Sequence, residues 1–158
     1  AVLRQRCAEQ GVVFRSLADE QTLHPGDRLT RFADMDNATR TSDPFAPRSP
    51  EEIARRIADI GPEPNGMVVA DDGRRLIGYT YFHRAAGDDP HRARQGWTGV
   101  RPENRRQGIA TLLKVEGALL ARRLGYRRMV TDPHVSNTAS VRMSLRVGFL
   151  PCDSDPGI

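Results

Sequence analysis

The stretch Val100–Lys114, VRPENRRQGIATLLK, places two arginines, a glutamine and a glycine directly before an apolar run with helical spacing. The start of a helix leaves its first backbone N–H groups without intrahelical acceptors, and together with the macrodipole they favour an anion. Arg105, Arg106 and Gln107 add side-chain donors to the same region. Gly108 lets the backbone approach a bulky ligand, and Ala110 keeps the next turn slim. The chemistry these residues offer is the holding of a diphosphate. No Gly-Lys-Ser/Thr follows, so the turn is not a Walker loop, and it is not the GxGxxG dinucleotide fingerprint. Cys7 and Cys152 stand near opposite ends, with no CxxC and no Cys/His spacing suited to a metal. Both are read as free thiols in a reducing compartment.

A strand over Ala93–Arg101 must lead into this turn, and a helix over Gln107–Leu124 must lead out. Ile109, Leu112, Leu113, Leu119, Leu120 and Leu124 form the predicted apolar face of that helix, and Gly125 closes it. A strand over Tyr126–Thr131, a helix over Asn137–Val147 closed by Gly148, and a short extended segment at Phe149–Leu150 follow. Upstream, Val2–Gln10 reads as a helix ending at Gly11, and GVVFRSL (Gly11–Leu17) as the first strand. His24–Asp27 marks a turn, with Asp27 placed to cap a helix running to about Ala38. The Pro-rich loop Thr39–Pro50 ends in Ser49-Pro50-Glu51-Glu52, a capping box with proline at N1, and Ile53, Ile57 and Ile60 stripe the helix behind it. Met67–Asp71 and Leu76–Arg84 read as strands joined by a tight hairpin. This order predicts a mixed α/β sheet covered by helices, with a right-handed crossover joining two parallel strands around the long helix.

The length of 158 residues suits one domain. Residues 1–11 form a lead-in helix or linker, 12–65 the first strand and two helices, and 66–150 the core. No apolar run approaches the roughly 20 residues of a membrane span, and no secretory leader is recognisable. With the free thiols, the expectation is a cytoplasmic protein. A chain opening on Ala1 rather than Met is expected to be processed or cut from something longer. The formal charge of +4 is carried almost wholly by arginine, and Lys114 is the only lysine. A basic nucleic-acid module finds no support, because neither a stacking stripe nor a known motif is present.

TGVRPENRRQGIATLLK resembles the acyl-coenzyme A site of the GCN5-related N-acetyltransferase (GNAT) family, whose signature is R/Q-x-x-G-x-G/A. Arg105, Gly108 and Ala110 fill its fixed positions. VTDPHVSNTASVRMSLRVGF resembles the family's later strand–helix segment, headed by Asn137 and ended by Gly148-Phe149. The likeness covers residues 66–150; the first 60 residues agree only in element order. TxGV before the arginines and the Gly-Val-Val-Phe opening also resemble the C-terminal halves of tandem GNAT proteins. The resemblance implies acetyl-CoA as co-substrate, no metal, and transfer of an acetyl group to a primary amine of a small molecule or peptide. It implies a diphosphate on the backbone N–H groups of Arg106, Gln107, Gly108, Ile109, Ala110 and Thr111, beside Arg105. The pantetheine arm would pair with the backbone of Thr98, Gly99 and Val100, where two parallel strands splay. Asn137 would lie by the thioester end.

Direct attack requires a neutral amine, and an alkylamine of pKa about 10 is mostly protonated at pH 7. Asp132 stands five residues before Asn137, where some members of the family carry a glutamate base. His134 is close by, with an imidazole's intrinsic pKa near 6.5, and His83 at a strand end is a further candidate. Glu103 is better explained by pairing with an arginine. Many members carry a tyrosine that protonates the leaving thiolate; Ser144 occupies that position here, leaving Ser144 or a water it holds for the task. Asp36 and Asp43 are expected to hold a cationic acceptor, with Phe45, Tyr81 and Trp97 flanking the cleft. The chain stops nine residues after Phe149, short of the family's last hairpin. Either a second copy or a partner domain completes that edge, or the cleft is open there. The competing expectation is a non-catalytic acyl-CoA-binding domain.

Overall fold

The structure, a computed structural model, describes residues 2–40, 46–59, 65–84, 89–134 and 136–152. In chain order these form α1 (Val2–Glu9), β1 (Val13–Ser16), α2 (Leu17–Leu23), α3 (Arg28–Thr39), α4 (Pro50–Asp59), β2 (Met67–Asp71), β3 (Leu76–His83), β4 (Arg92–Val100), α5 (Ile109–Arg123), β5 (Arg128–Thr131) and α6 (Thr138–Arg146). A five-stranded sheet runs in the order β1-β2-β3-β4-β5. Its first three pairings are antiparallel, and β4 and β5 are parallel, joined through α5. The expected mixed sheet and its parallel crossover unit are therefore present.

Successive strand residues point to opposite faces, and each face buries its own cluster. Val68, Ala70, Ile77, Phe82 and Val100 pack with Ile109, Leu112 and Leu113 of α5. Met67, Val69, Leu76 and Tyr79 pack on the other side with Phe32 and Met35 of α3 and Ile53 of α4. The Ser49 capping box forms as read: Ser49 N donates to Glu52 Oε2 at 2.7 Å, and Glu52 N donates to Ser49 Oγ at 3.2 Å.

Four readings are corrected. The first strand ends at Ser16, because Ser16 and Asp19 form a capping box of their own and start α2; apolar Leu17 had suggested continuation of the strand. Asp27 precedes α3 as its N-cap residue, but its carboxylate makes no capping hydrogen bond. On α5, Leu119 and Leu124 are exposed, whereas Lys114 and Gly117 are buried. The segment at Phe149–Leu150 does not join the sheet; Phe149 N instead donates back to Ser144 O at 3.1 Å, closing the end of α6.

Between β1, α2, α3 and β2, the buried carboxylates of Glu20 and Asp71 are held by Arg15 and Arg31. No described helix is long and apolar enough to cross a membrane. Both cysteines are free, Cys7 buried and Cys152 exposed.

Candidate active site

β4 and β5 pair from Arg92↔Arg128 to Gln95↔Thr131, and there β5 ends. Asp132-Pro133 follows, and proline cannot donate to a ladder. β4 runs on to Val100 with no strand beside it on that side among the described residues. The splay coincides with a bulge: the β3–β4 register moves from Thr80↔Thr98 to Phe82↔Gln95, so one extra β4 residue faces Tyr81. A bulge bends its strand and re-aims side chains, as is common beside binding sites. Gly96 is required at this bulge, since a Cβ there would lie 2.2 Å from the Tyr81 ring.

At the end of β4, buried Arg101 ties the strand down. Its Nε donates to Leu76 O at 2.8 Å, and its Nη2 meets Asp34. A single 3₁₀ turn over Pro102–Asn104 then leads to the arginine pair. Arg105 turns back on the sheet: its Nε donates to Val100 O at 3.0 Å and its Nη2 to Thr39 O at 3.3 Å. Arg106 has φ of 62° and Gly108 has φ of 87°. A left-handed arginine costs about 1–2 kcal/mol, and strain of this kind clusters at functional sites. Alternation through the left-handed region also gathers successive N–H groups round an anion. The first helical bond of α5 runs from Leu112 N to Gly108 O at 3.0 Å. The N–H groups of Ile109, Ala110 and Thr111 therefore have no helical acceptor, and no described side chain caps them.

Gly108 is needed for its backbone conformation, but the space beside it is not reserved for a ligand. A Cβ there would meet Leu3 Cδ2 of α1 at 2.7 Å. Glu103 does pair with an arginine, Arg75, at 2.8 Å.

Asp132 and His134 lie exposed just beyond the C-terminal end of β5, on the splayed side. Asp132 makes no hydrogen bond to a described residue, while His134 Nδ1 lies 2.7 Å from Ser136 Oγ. Asn137 heads α6 and its Oδ1 accepts from Ser140 N at 3.1 Å, so its carbonyl serves as the helix cap. His83 is half-buried; desolvation, then the Arg94 charge, lowers its pKa.

A polar chain crosses the interior beneath the splay. Thr98 Oγ1 and Thr80 Oγ1 are 2.8 Å apart, and Gln95 Nε2 reaches Thr80 Oγ1 at 3.3 Å. Lys114 Nζ donates to Gln95 Oε1 and to Ser144 Oγ, each at 3.1 Å. Burial lowers the Lys114 pKa. The sequence reading missed this lysine as a site residue, although two signals were available. It is the only lysine in an arginine-rich chain, and it shares the spacing of Ala110, Gly117 and Ala121 on one helix face.

The acceptor-side expectation changes most. Asp36 is 1% exposed and its carboxylate is already occupied. Tyr79 Oη donates to it at 2.6 Å, Arg48 Nη1 at 2.8 Å and Arg40 Nε at 3.2 Å. Burial first, then the Asp36 charge, raises the Tyr79 pKa. The cavity beside Asp36 measures about 20 Å³, room for one water and no acceptor. Asp36 thus fastens α3 and the α4 lead-in to β3. Asp43 and Phe45 lie outside the described residues. Tyr81 is half-buried over Gly96, whereas Trp97 is 47% exposed, its indole lying with Thr39 across Gly99.

One group of candidate metal ligands occurs among the described residues: Glu20, His24 and Asp71. Arg15 and Arg31 already neutralise its two carboxylates, so the donor set does not suit a cation.

A helix start with open amides thus stands at the end of a strand that parts from its parallel neighbour. The chain belongs to the acetyltransferase (GNAT) family, which it matches over residues 32–149. It is 29% identical over 108 residues to a mycothiol acetyltransferase of Arthrobacter sp. (strain FB24), covering 66% of this chain and 33% of that protein. The chain thus spans about a third of the length of the curated relatives it matches. Among solved structures, the aminoglycoside N-acetyltransferase AAC(6')-Iy, in complex with a CoA-containing bisubstrate analogue, superposes with a TM-score of 0.66 at 16% identity, covering 91% of this chain and 94% of that one. Ard1 from Thermoplasma volcanium superposes with a TM-score of 0.67 at 14% identity, covering 89% and 83%. At these identities the likeness shows the fold.

Proposed function

We propose that this chain binds acetyl-CoA and transfers its acetyl group to a primary amine of a small molecule or peptide by direct attack. The observation that carries this reading is the row of uncapped amides at Ile109–Thr111, behind left-handed Arg106 and Gly108, next to the β4 edge left open beyond Gln95. The amides of Arg106–Thr111 take the diphosphate, with the arginine pair adding positive charge. The backbone of Thr98–Val100 takes the pantetheine arm as an added strand. The likeness in fold to an aminoglycoside N-acetyltransferase that takes a CoA-containing bisubstrate analogue supports coenzyme binding as such.

The thioester carbonyl then lies over the splay, polarised by a backbone N–H near Val100. Asp132 or His134, directly or through a water, removes the amine proton. The amine attacks, the tetrahedral intermediate collapses and the C–S bond breaks, with Ser144 on the side of the leaving sulfur. Trp97 and Tyr81 flank the acceptor. Asp36 is not part of this proposal, because its oxygens already answer three donors.

The second reading, a non-catalytic acyl-CoA-binding domain, is favoured by one observation: Ser144 occupies the position where the resemblance to the family implies a tyrosine acid. Titration calorimetry with CoA, followed by a thiol-release assay against polyamines, aminoglycosides and peptides, tests both. Binding with release supports the enzyme. Binding without release from any acceptor supports the second reading. No binding heat at millimolar CoA overturns both.

A further inference from the structure

The proposed reaction places Ser144 by the leaving sulfur but gives no role to Lys114, whose Nζ donates to Ser144 Oγ. The lysine is 2% exposed and the serine 4%. A buried lysine is costly, and an apolar residue on that face of α5 would pack without the cost. Lys114 Nζ has three hydrogens and no lone pair when protonated. Two of its donors go to Gln95 Oε1 on β4 and Ser144 Oγ on α6, and the Phe149 ring lies 5.6 Å from the nitrogen. No carboxylate or guanidinium pairs with it among the described residues, and burial alone lowers its pKa. Because Ser144 Oγ accepts from Lys114, its own hydrogen is directed elsewhere, and no described residue receives it. Gln95 is the last β4 residue paired with β5, so the pair sits at the root of the splay.

We propose that Lys114 is a positioning residue that acts through Ser144, making the serine hydroxyl the donor that stabilises and protonates the departing CoA thiolate. This rests on the acetyl-CoA reading above. As the C–S bond breaks, the sulfur takes the electron pair and accepts the Ser144 Oγ proton. Ser144 Oγ recovers a proton from Lys114 Nζ, leaving a neutral amine. Lys114 is recharged by the proton released from the acceptor amine, by way of solvent as products leave. The serine alone is a poor acid; the charge behind it supplies what the missing tyrosine would.

The test compares wild type with Lys114→Met and Ser144→Ala, the latter removing a single oxygen and so preserving the fold. The thiol of bound CoA is titrated by the ultraviolet absorbance of its thiolate, with S-methyl-CoA complexes as blanks. In the wild type the bound thiol titrates about one unit or more below the ordinary 8.5, and in both variants it returns toward 8.5. Identical titrations in all three proteins overturn the relay while leaving coenzyme binding intact. Absence of CoA binding overturns the coenzyme reading, and this inference with it. With an acceptor in hand, each variant lowers kcat about 10- to 100-fold with the KM for acetyl-CoA nearly unchanged. The alkaline fall of kcat disappears, and the double variant is no worse than either single one. Additive losses with an unaltered pH profile mark a merely structural pair and also overturn it.

Discussion

Tyr79 donates its phenol hydrogen to Oδ1 of Asp36 across 2.6 Å, joining β3 to α3. The same carboxylate accepts from Arg40 and Arg48, so one buried charge fixes the helix that carries it, the lead-in to α4 and the central sheet. Breaking a buried pair from one side strands the remaining charge. Asp36→Ala should cost about 3–5 kcal/mol in urea denaturation, and Tyr79→Phe about 1.5–3 kcal/mol, the worth of one hydrogen bond to a charged group. A loss below about 0.5 kcal/mol for Asp36→Ala, the range of an ordinary surface substitution, would return Asp36 to the acceptor site.

Lys114 makes stability depend on pH. Its folded pKa lies below the ordinary 10.5 because burial disfavours the charge. Below the folded value both states are protonated and the whole cost of burying the cation is present. Between the folded value and 10.5 the unfolded chain holds more protons, so this lysine's contribution to stability rises with pH, by at most about 1.4 kcal/mol per unit. The stability difference between Lys114→Met and wild type should therefore shift in the wild type's favour as pH climbs from 7 toward 10.5. A difference constant across that range would mean that the lysine is not desolvated.

Gly108 carries a different burden. Its φ of 87° strains any residue with a Cβ, and Leu3 stands 2.7 Å from where that atom would lie. Gly108→Ala should destabilise the fold by about 1–2 kcal/mol. It should also weaken CoA binding at least tenfold, because the amides that follow lose their setting. Gly108→Trp should abolish binding, and unchanged affinity in calorimetry would place the diphosphate elsewhere.

Local signals carried much of the fold. The strand–turn–helix around RRQGIA, the Ser49 capping box, and the glycines closing α5 and α6 each follow from neighbouring residues, and each is present. What escaped reading depends on distant partners. Asp36 looked like a free acid in a loop-flanking helix, because nothing nearby in sequence announces Tyr79 of β3. Lys114 drew no reading beyond being the only lysine, since its acceptors come from β4 and α6. Leu119 and Leu124 fit the apolar stripe of α5, yet the face the helix buries runs through Leu113, Gly117, Leu120 and Ala121 instead. The α2 helix is the exception, for its Ser16–Asp19 box was in plain view and was outweighed by the β-branched run before it.

The general base remains the part of the mechanism that side-chain position tests most directly. Asp132 lies exposed just beyond the end of β5, without a hydrogen bond to any described residue. A base works only when deprotonated, so activity must fall on the acid side of its titration. If Asp132 takes the amine proton, Asp132→Asn lowers kcat by about 100-fold or more and removes that acid limb. His134→Gln would leave the limb in place. The converse result, an acid limb lost only in His134→Gln, would assign the proton to the imidazole beside Ser136. A limb that survives both substitutions would assign it to the titration of the acceptor amine itself, with water carrying the proton away.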